Sequence, residues 1–445
     1  EAQDAKAKTA KFMDRFSAWY TPAIIVLAIV VGLATRDIVL ALTLLVISCP
    51  GALVISIPVS IVAGIGRGAR DGILIKGGEY LETSAKVDAI ALDKTGTLTE
   101  GRPQVADVVV LDTALGEDEV LGLAARAEAG SEHPLARPIV EAADGRGLRV
   151  DGLPEQIEPV PGKGIVAWID GERIAVGNMA LMEGEVPAAD LDNAQRVVDE
   201  MARVGRTPMV VARAGWAIGV IAVADRVRAD ASEMVARLHA AGVKKVVMLT
   251  GDMAPVAHAV AERVGIDEVH AGLLPEDKLD VVKKLQGDGH TVAMVGDGVN
   301  DAPALATADI GVAMGAAGTG VAIETADIAL MKDDLLKLPQ AIGLARRTVN
   351  NMRQNIVIAL GTVAALMLGV LFGGVTMAIG MLVHEVSVLV VILNAMRLLR
   401  KRAERTRSDR GHEAHEGVDV ADEESASTDG FDDLKFMKTA KLPTQ

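Results

Sequence analysis

The sequence predicts a multidomain membrane protein: α-helical transmembrane hairpins flank an α/β domain with a parallel sheet, which is interrupted by an inserted α+β domain. Three observations lead there. The chain has 445 residues, more than one ordinary domain. Half of its residues are hydrophobic and its mean hydropathy is +0.32, yet 24% are charged, an average that suits neither a soluble globule nor a bare helix bundle. Long charge-free runs sit near the two ends, while the middle alternates short Val/Ile/Ala runs with turns rich in Gly, Asp and Thr. This composition excludes a disordered chain, which lacks the apolar surface needed to fold. A net charge of -15 argues against a general nucleic-acid binder. The single cysteine rules out an internal disulfide, and with 2% aromatics the core must be built from Val, Ala, Leu and Ile.

Taken in order, residues 1–15 read as a cytoplasmic linker and 16–66 as a transmembrane helix pair. Phe16 to Thr35 carries no charge, and neither does Ile38 to Gly66. From Gln354 to Met396 the only formal charge is Glu385. A helix needs about 20 apolar residues to cross a bilayer. The first two runs therefore supply one span each, and the last supplies two, hinged at Gly373-Gly374, within 346–400. Lys6, Lys8, Lys11 and Arg15 precede the first pair, and Arg67, Arg70 and Lys76 follow it. Arg346, Arg347 and Arg353, then Arg397, Arg400, Lys401 and Arg402, flank the second pair. The positive-inside rule places both termini and the middle segment in the cytoplasm.

The segments 67–101 and 221–345 read as one α/β domain. VDAIALD, VKKVVMLTGD and HTVAMVGDG each pair a buried-strand pattern with a turn. Ligands of such sheets bind at the carboxyl ends of strands, where Asp93, Thr250 and Asp297 fall. Residues 102–220 form the insert. Residues 401–445 read as a disordered acidic tail, whose His412 and His415 are taken as solvated.

No Gly-x-x-x-x-Gly-Lys-Ser/Thr loop occurs, so nucleotide chemistry of the P-loop kind is excluded. Instead Asp93-Lys94-Thr95-Gly96-Thr97-Leu98-Thr99 follows a buried strand directly. A carboxylate so placed can attack phosphorus and form an aspartyl phosphate. Thr250-Gly251 can donate to phosphate oxygens, and Lys278 can bring a cation beside them. Asp297 and Asp301, in Gly296-Asp297-Gly298-Val299-Asn300-Asp301, can hold Mg²⁺, which takes oxygen ligands.

DKTGT, TGD and GDGVNDAP in this order resemble the P-type ATPases, and the resemblance covers nearly the whole chain apart from the tail. It implies a haloacid-dehalogenase-like (HAD-like) phosphorylation domain, an inserted nucleotide-binding domain, and ATP and Mg²⁺ as cofactors. It makes Asp93 the phosphorylated nucleophile, with Thr95 helping to position phosphate and Mg²⁺, and matches Asp297 and Asp301 to the hinge-motif aspartates. Asp225 and Arg228 resemble the linker motif beside the nucleotide. Met253 follows TGD where Asn is frequent, which is expected to matter little. Glu132-His133-Pro134-Leu135 resembles the His-Pro signature of the heavy-metal-transporting branch, where Glu and His contact adenine. Gly162, Gly164 and Asn178 would complete that pocket.

Ser48-Cys49-Pro50-Gly51 lies in the second span. Proline inside a helix removes a backbone hydrogen bond and frees carbonyls beside the Cys49 thiol. Heavy-metal pumps carry Cys-Pro-Cys or a variant at this place, and here Gly51 replaces the second cysteine. His384-Glu385 stands within the last span, where ionisable groups are functional candidates by default. Cys49, His384 and Glu385 together would suit a divalent ion such as Zn²⁺, Cd²⁺ or Co²⁺, and also Fe²⁺ or Mn²⁺, better than Cu⁺, for which Met377 and Met381 are the only nearby supplements. Ser48, Ser387, Asn355 and Asn394 could add oxygen ligands. The expected function is ATP-driven translocation of a heavy-metal cation across the plasma membrane through an aspartyl phosphate, as export of Zn²⁺, Cd²⁺ or Co²⁺. A pump for Cu, Fe, Mn or K, or a membrane metal sensor, is the alternative, and a soluble phosphatase would lack the spans. No Thr-Gly-Glu sequence occurs, and the chain starts at Glu1. It is expected to be the C-terminal portion of a pump, without the actuator domain and the earlier helices.

Overall fold

The computed structural model describes residues 8–131, 135–148, 150, 152–297, 301–315, 324–331, 333–372 and 374–400. Helix α1 (Lys8–Thr35) begins inside the stretch expected as linker. Arg36, with φ of 55°, turns the chain, and the Asp37 carboxylate accepts from the Leu40 N–H at 3.0 Å to cap α2 (Ile38–Ile47). The expected second span is then broken at the Cys-Pro sequence, and α3 (Gly51–Arg70) resumes it. Pro50 has no N–H to give to Val46, whose carbonyl accepts from Cys49 instead, at 3.3 Å. Counting α2 and α3 as one interrupted span, four helical segments among the described residues are long and apolar enough to cross a membrane.

The α/β domain opens with β1 (Ile73–Ile75), α4 (Gly78–Ser84) and β2 (Ala89–Asp93). The chain then leaves for the insert through β3 (Gln104–Val110), α5 (Glu117–Glu128), α6 (Ala136–Gly145), β4 (Gln156–Val160), β5 (Gly164–Ile169) and β6 (Glu172–Gly177). Helices α7 (Met179–Glu185) and α8 (Asp192–Arg203), then β7 (Thr207–Arg213) and β8 (Trp216–Ala224), complete it. The six strands form an antiparallel sheet in the order β3-β8-β7-β6-β5-β4. Helices α5 and α6 cover one face, and α7 and α8 the other. Strand β8 pairs with β3 as far as Ala224, so the insert runs past the expected boundary at Val220. Pairing the first and last strands lays entry and exit side by side.

The α/β domain resumes with α9 (Ala231–Ala240), β9 (Lys245–Leu249), α10 (Ala254–Val264), β10 (Glu268–His270), α11 (Pro275–Gly287), β11 (Val292–Gly296), α12 (Ala302–Thr307), β12 (Ile310–Ala313) and β13 (Ile328–Leu330). Its sheet has the order β1-β13-β12-β11-β2-β9-β10, parallel except for β1. Strands β2 and β11 are buried along their whole length because helices cover both faces, which accounts for their unbroken apolar runs. Strand β2 lies between β9 and β11, so their three carboxyl ends meet.

Helix α13 (Lys337–Leu371) begins in this domain's core, where Leu338, Ala341, Ile342 and Ala345 are buried, and continues into the membrane region. Helix α14 (Met377–Met396) follows a break between Leu371 and Met377. Gly373 of the expected hinge and the tail 401–445 lie outside the described residues. Ala52, Leu53, Ile57, Met352, Ala359 and Val391 pack α3, α13 and α14 together.

Candidate functional site

Asp93 ends β2, and the loop after it turns at Gly96, whose φ of 72° favours glycine. A Cβ on Gly96 would stand 3.2 Å from Asp297 Oδ2, so the turn brings that carboxylate over the loop. Lys278, from the first turn of α11, is buried with its ammonium between two carboxylates. Its Nζ donates to Asp93 Oδ1 at 2.6 Å and to Asp301 Oδ1 at 2.7 Å. Burial raises the Asp93 carboxyl to about 7; Asp301 adds repulsion, and Lys278 pulls the other way. Asp301 is likewise raised by burial. Burial alone would lower the Lys278 ammonium, but the two carboxylates outweigh it and its net shift is upward. Asp301 Oδ2 is buried without a hydrogen-bond partner. Two carboxylates on one ammonium, both pushed toward neutrality and one with an orphaned oxygen, together with Asp297 over the neighbouring loop, fit a further cation such as Mg²⁺. Thr250 is buried at the end of β9, its hydroxyl accepting from the Asp252 N–H at 3.1 Å, while Thr95 is exposed at the loop surface. Lys94, second in the motif, pairs with Asp252 at 2.5 Å, a contact that sequence reasoning did not anticipate.

The segment after the insert fastens this loop. Arg228 Nε donates to the carbonyls of Thr97 and Thr99 at 2.9 and 3.0 Å. The Asp225 carboxylate accepts from the Thr99 hydroxyl at 2.5 Å and from the N–H groups of Gly101 and Arg102 at 3.1 and 3.0 Å. Both residues therefore hold the loop after Asp93 and the entry to the insert in one arrangement.

Within the insert, Glu132 and His133 lie outside the described residues. Gly164 has φ of 144°, and a Cβ there would collide with the Val176 carbonyl and with Gly177, so the packing of β5 on β6 already requires this glycine. Asn178 caps α7 by accepting from the Leu181 N–H at 3.1 Å and donates to the Gly162 carbonyl at 2.9 Å, tying the turn to the helix. The residue that sequence reasoning missed is Glu128, at the end of α5. It is 2% exposed, its Oε2 has no hydrogen-bond partner, and burial raises it to about 7. Its only signal was an acid on the apolar side of an amphipathic segment, close before Glu132.

In the membrane region Cys49 is exposed at the break between α2 and α3. His384 reaches the same break from α14: a Cβ on Gly51 would lie 3.2 Å from its Nε2. Glu385, one residue on, is exposed elsewhere on the helix, because adjacent helical residues do not share a face. Among the described residues no group of three His, Cys, Asp or Glu side chains is gathered to hold a metal. Ser387 donates to the His384 carbonyl at 2.7 Å. Asn355 and Asn394 are bonded to each other, with Asn394 Nδ2 donating to Asn355 Oδ1 at 2.8 Å. These three expected oxygen donors are thus engaged within the helices.

Residues 87–309 match the model of the haloacid dehalogenase-like hydrolases. The chain is 41% identical to a manganese-exporting P-type ATPase of Mycobacterium bovis over 405 residues, covering 91% of this chain and 56% of that protein. Identity to a zinc-exporting P-type ATPase of Mycobacterium marinum is also 41%, covering 91% of this chain and 55% of the relative. A probable cadmium-transporting ATPase of Staphylococcus aureus is 41% identical, with 90% and 56% covered. The chain therefore spans about half the length of the curated relatives it matches. Its fold is similar to the crystal structure of a zinc-transporting PIB-type ATPase in its E2.Pi state, with a TM-score of 0.72 and 43% identity, over 90% of this chain and 66% of that one. With the DKTGT aspartate at the end of a central parallel strand and, in the membrane helices, a span interrupted at Cys-Pro, the chain belongs to the haloacid dehalogenase-like hydrolases, in their heavy-metal P-type ATPase branch.

Proposed function

We propose that this chain carries the catalytic and ion-releasing part of a plasma-membrane pump that exports a divalent heavy-metal ion, such as zinc, cadmium or manganese, at the expense of ATP. The observation that carries the reading is the Lys278 ammonium held between Asp93 and Asp301 at 2.6 and 2.7 Å, at the end of the central strand. A buried nucleophilic carboxylate with a cation already beside it is what attack on an anionic phosphate requires. ATP would bind the insert through Glu132, His133, Gly162, Gly164 and Asn178, with its γ-phosphate directed at β2. An Asp93 oxygen forms the new bond to phosphorus as the bond to the ADP oxygen breaks. Lys278 and Thr250 hold the phosphoryl oxygens, while Arg228 and Asp225 keep the loop from recoiling. Asp93, Asp297 and Asp301, with Thr95, would hold Mg²⁺, which supplies charge neutralisation between the carboxylates and the phosphate.

The ion would sit at the α2–α3 break, with Cys49 and His384 as its nearest donors and Glu385 available after a rotation of α14. The basic flanks place the phosphorylation and nucleotide domains in the cytoplasm. The sequence holds no Thr-Gly-Glu, so hydrolysis of the acyl phosphate is assigned to an actuator domain outside these residues. The test is acid-stable labelling from γ-labelled ATP. Asp93→Asn is expected to abolish the label, and a label that survives the change refutes the nucleophile.

A further inference from the structure

The break between α2 and α3 leaves carbonyls that a continuous helix would have used. The Ser48 carbonyl is one of them: the bond that the Ala52 N–H would give it is not formed. Tyr20, on α1, takes that place, its hydroxyl donating to the Ser48 carbonyl at 2.9 Å. The ring is held for the task by Phe16, one turn earlier, stacked at 5.0 Å between centroids and 21° between planes. Cys49 is the next residue in the chain after Ser48. Two further groups at the break are polar, buried and without a partner: Ser48 Oγ, on a residue 1% exposed, and His384 Nδ1. The break is thus gripped from both sides, by Tyr20 at Ser48 and by His384 over Gly51.

We propose that Tyr20 is a positioning residue of the ion site: by holding the Ser48 carbonyl it fixes the peptide that presents Cys49, and so makes α1 a wall of the site. The proposal rests on the reading of Cys49 as an ion ligand. A tyrosine that merely satisfied a stray carbonyl would affect stability alone. A positioning tyrosine affects how tightly the thiolate meets a metal, because a peptide left free to rotate must be ordered at the moment of binding.

The chain has one cysteine, so thiolate-to-metal charge transfer reports this position alone. The full chain in detergent is titrated with Co²⁺ and the charge-transfer band followed. The wild type is expected to give a saturable band that Cys49→Ser removes. Tyr20→Phe is expected to raise the half-saturating Co²⁺ about tenfold, the worth of one hydrogen bond, with helicity unchanged. Replacing Tyr20 by 2,3-difluorotyrosine, a stronger donor of the same shape, is expected to lower it. Half-saturation that is the same in all three forms overturns the role of Tyr20 while leaving Cys49 as ligand. A band that is absent from the wild type, or that survives Cys49→Ser, overturns the ion-site reading and this proposal with it.

Discussion

Lys278 stands between Asp93 and Asp301, and its removal would leave two buried carboxylates facing each other with no counter-charge. Breaking a buried ion pair by deleting one partner costs about 3 kcal/mol or more. Lys278→Met is therefore expected to lower the unfolding free energy by about 3 kcal/mol and to cut phosphorylation at least 100-fold. Urea unfolding and labelling rates read the two effects separately. Glu128 calls for a pH argument. Its carboxyl rises from 4.5 in the unfolded chain to about 7 in the folded one, so folding favours the protonated form. Below 4.5 both states are protonated and nothing is lost; between 4.5 and about 7 the stability falls, and above that the loss is complete. Glu128→Gln is expected to leave stability unchanged at pH 4 and to raise it at pH 8 by on the order of 2 kcal/mol. Trp168 and Trp216, both on strands of the insert, report that melt. An equal effect at both pH values would contradict the assignment.

Among the elements, the α2–α3 break stands out. The residue pattern there was legible: Pro50 announced an opened ladder, and Gly51 announced a departure from the usual second cysteine. What the pattern could not convey is that the gap left by Gly51 is filled from another helix, by the His384 ring. Gly51→Val would push that ring away. It is expected to weaken Co²⁺ binding at Cys49 at least tenfold while leaving ATP labelling of Asp93 in the isolated chain unaffected, which the same charge-transfer titration measures. Gly164 teaches the converse. It reads as a nucleotide-approach glycine, yet the Val176 carbonyl and Gly177 already exclude a side chain there. One residue type can serve sheet packing and a ligand at once, and only the neighbouring strand reveals the first use.

For the molecule as a whole, α13 joins the α/β domain to the membrane helices. Its first turns are packed in the α/β core and its later turns against α3, so its 35 residues form one rod of about 50 Å. Where that rod enters the membrane region, a closed ring of hydrogen bonds joins three helices. Ser60 Oγ donates to Asn351 Oδ1 at 3.0 Å, Asn355 Nδ2 donates to Ser60 Oγ at 3.1 Å, and Asn351 Nδ2 donates to the Asn394 carbonyl at 2.9 Å. The link between Asn394 and Asn355 closes it. At 1.5 Å per residue, this ring lies roughly 15 Å along α14 from His384, too far to supply ion ligands. It fixes the register of α3, α13 and α14. Asn355→Leu is expected to destabilise the membrane helices by about 1–2 kcal/mol, since it removes the 2.8 Å acceptor of the Asn394 amide and the amide that donates to the Ser60 hydroxyl. A detergent-solubilised thermal melt measures it.

The sequence by itself determined the apolar spans, their basic flanks, the alternation of strand and turn, and the motif residues of the proposed phosphorylation site. These are local properties: periodicity, length and charge act over a few turns, and DKTGT carries its own strand and its own glycine turn. Tertiary structure alone decided the rest. It placed Lys278 between two aspartates from different segments, buried Glu128, spent Asn355 and Asn394 on each other, and brought Tyr20 and His384 to opposite sides of one helix break. The physical reason is that a partner's identity and its distance are set by packing between elements far apart in the chain. No spacing along the sequence encodes which of several polar residues will be left with an unpaired atom.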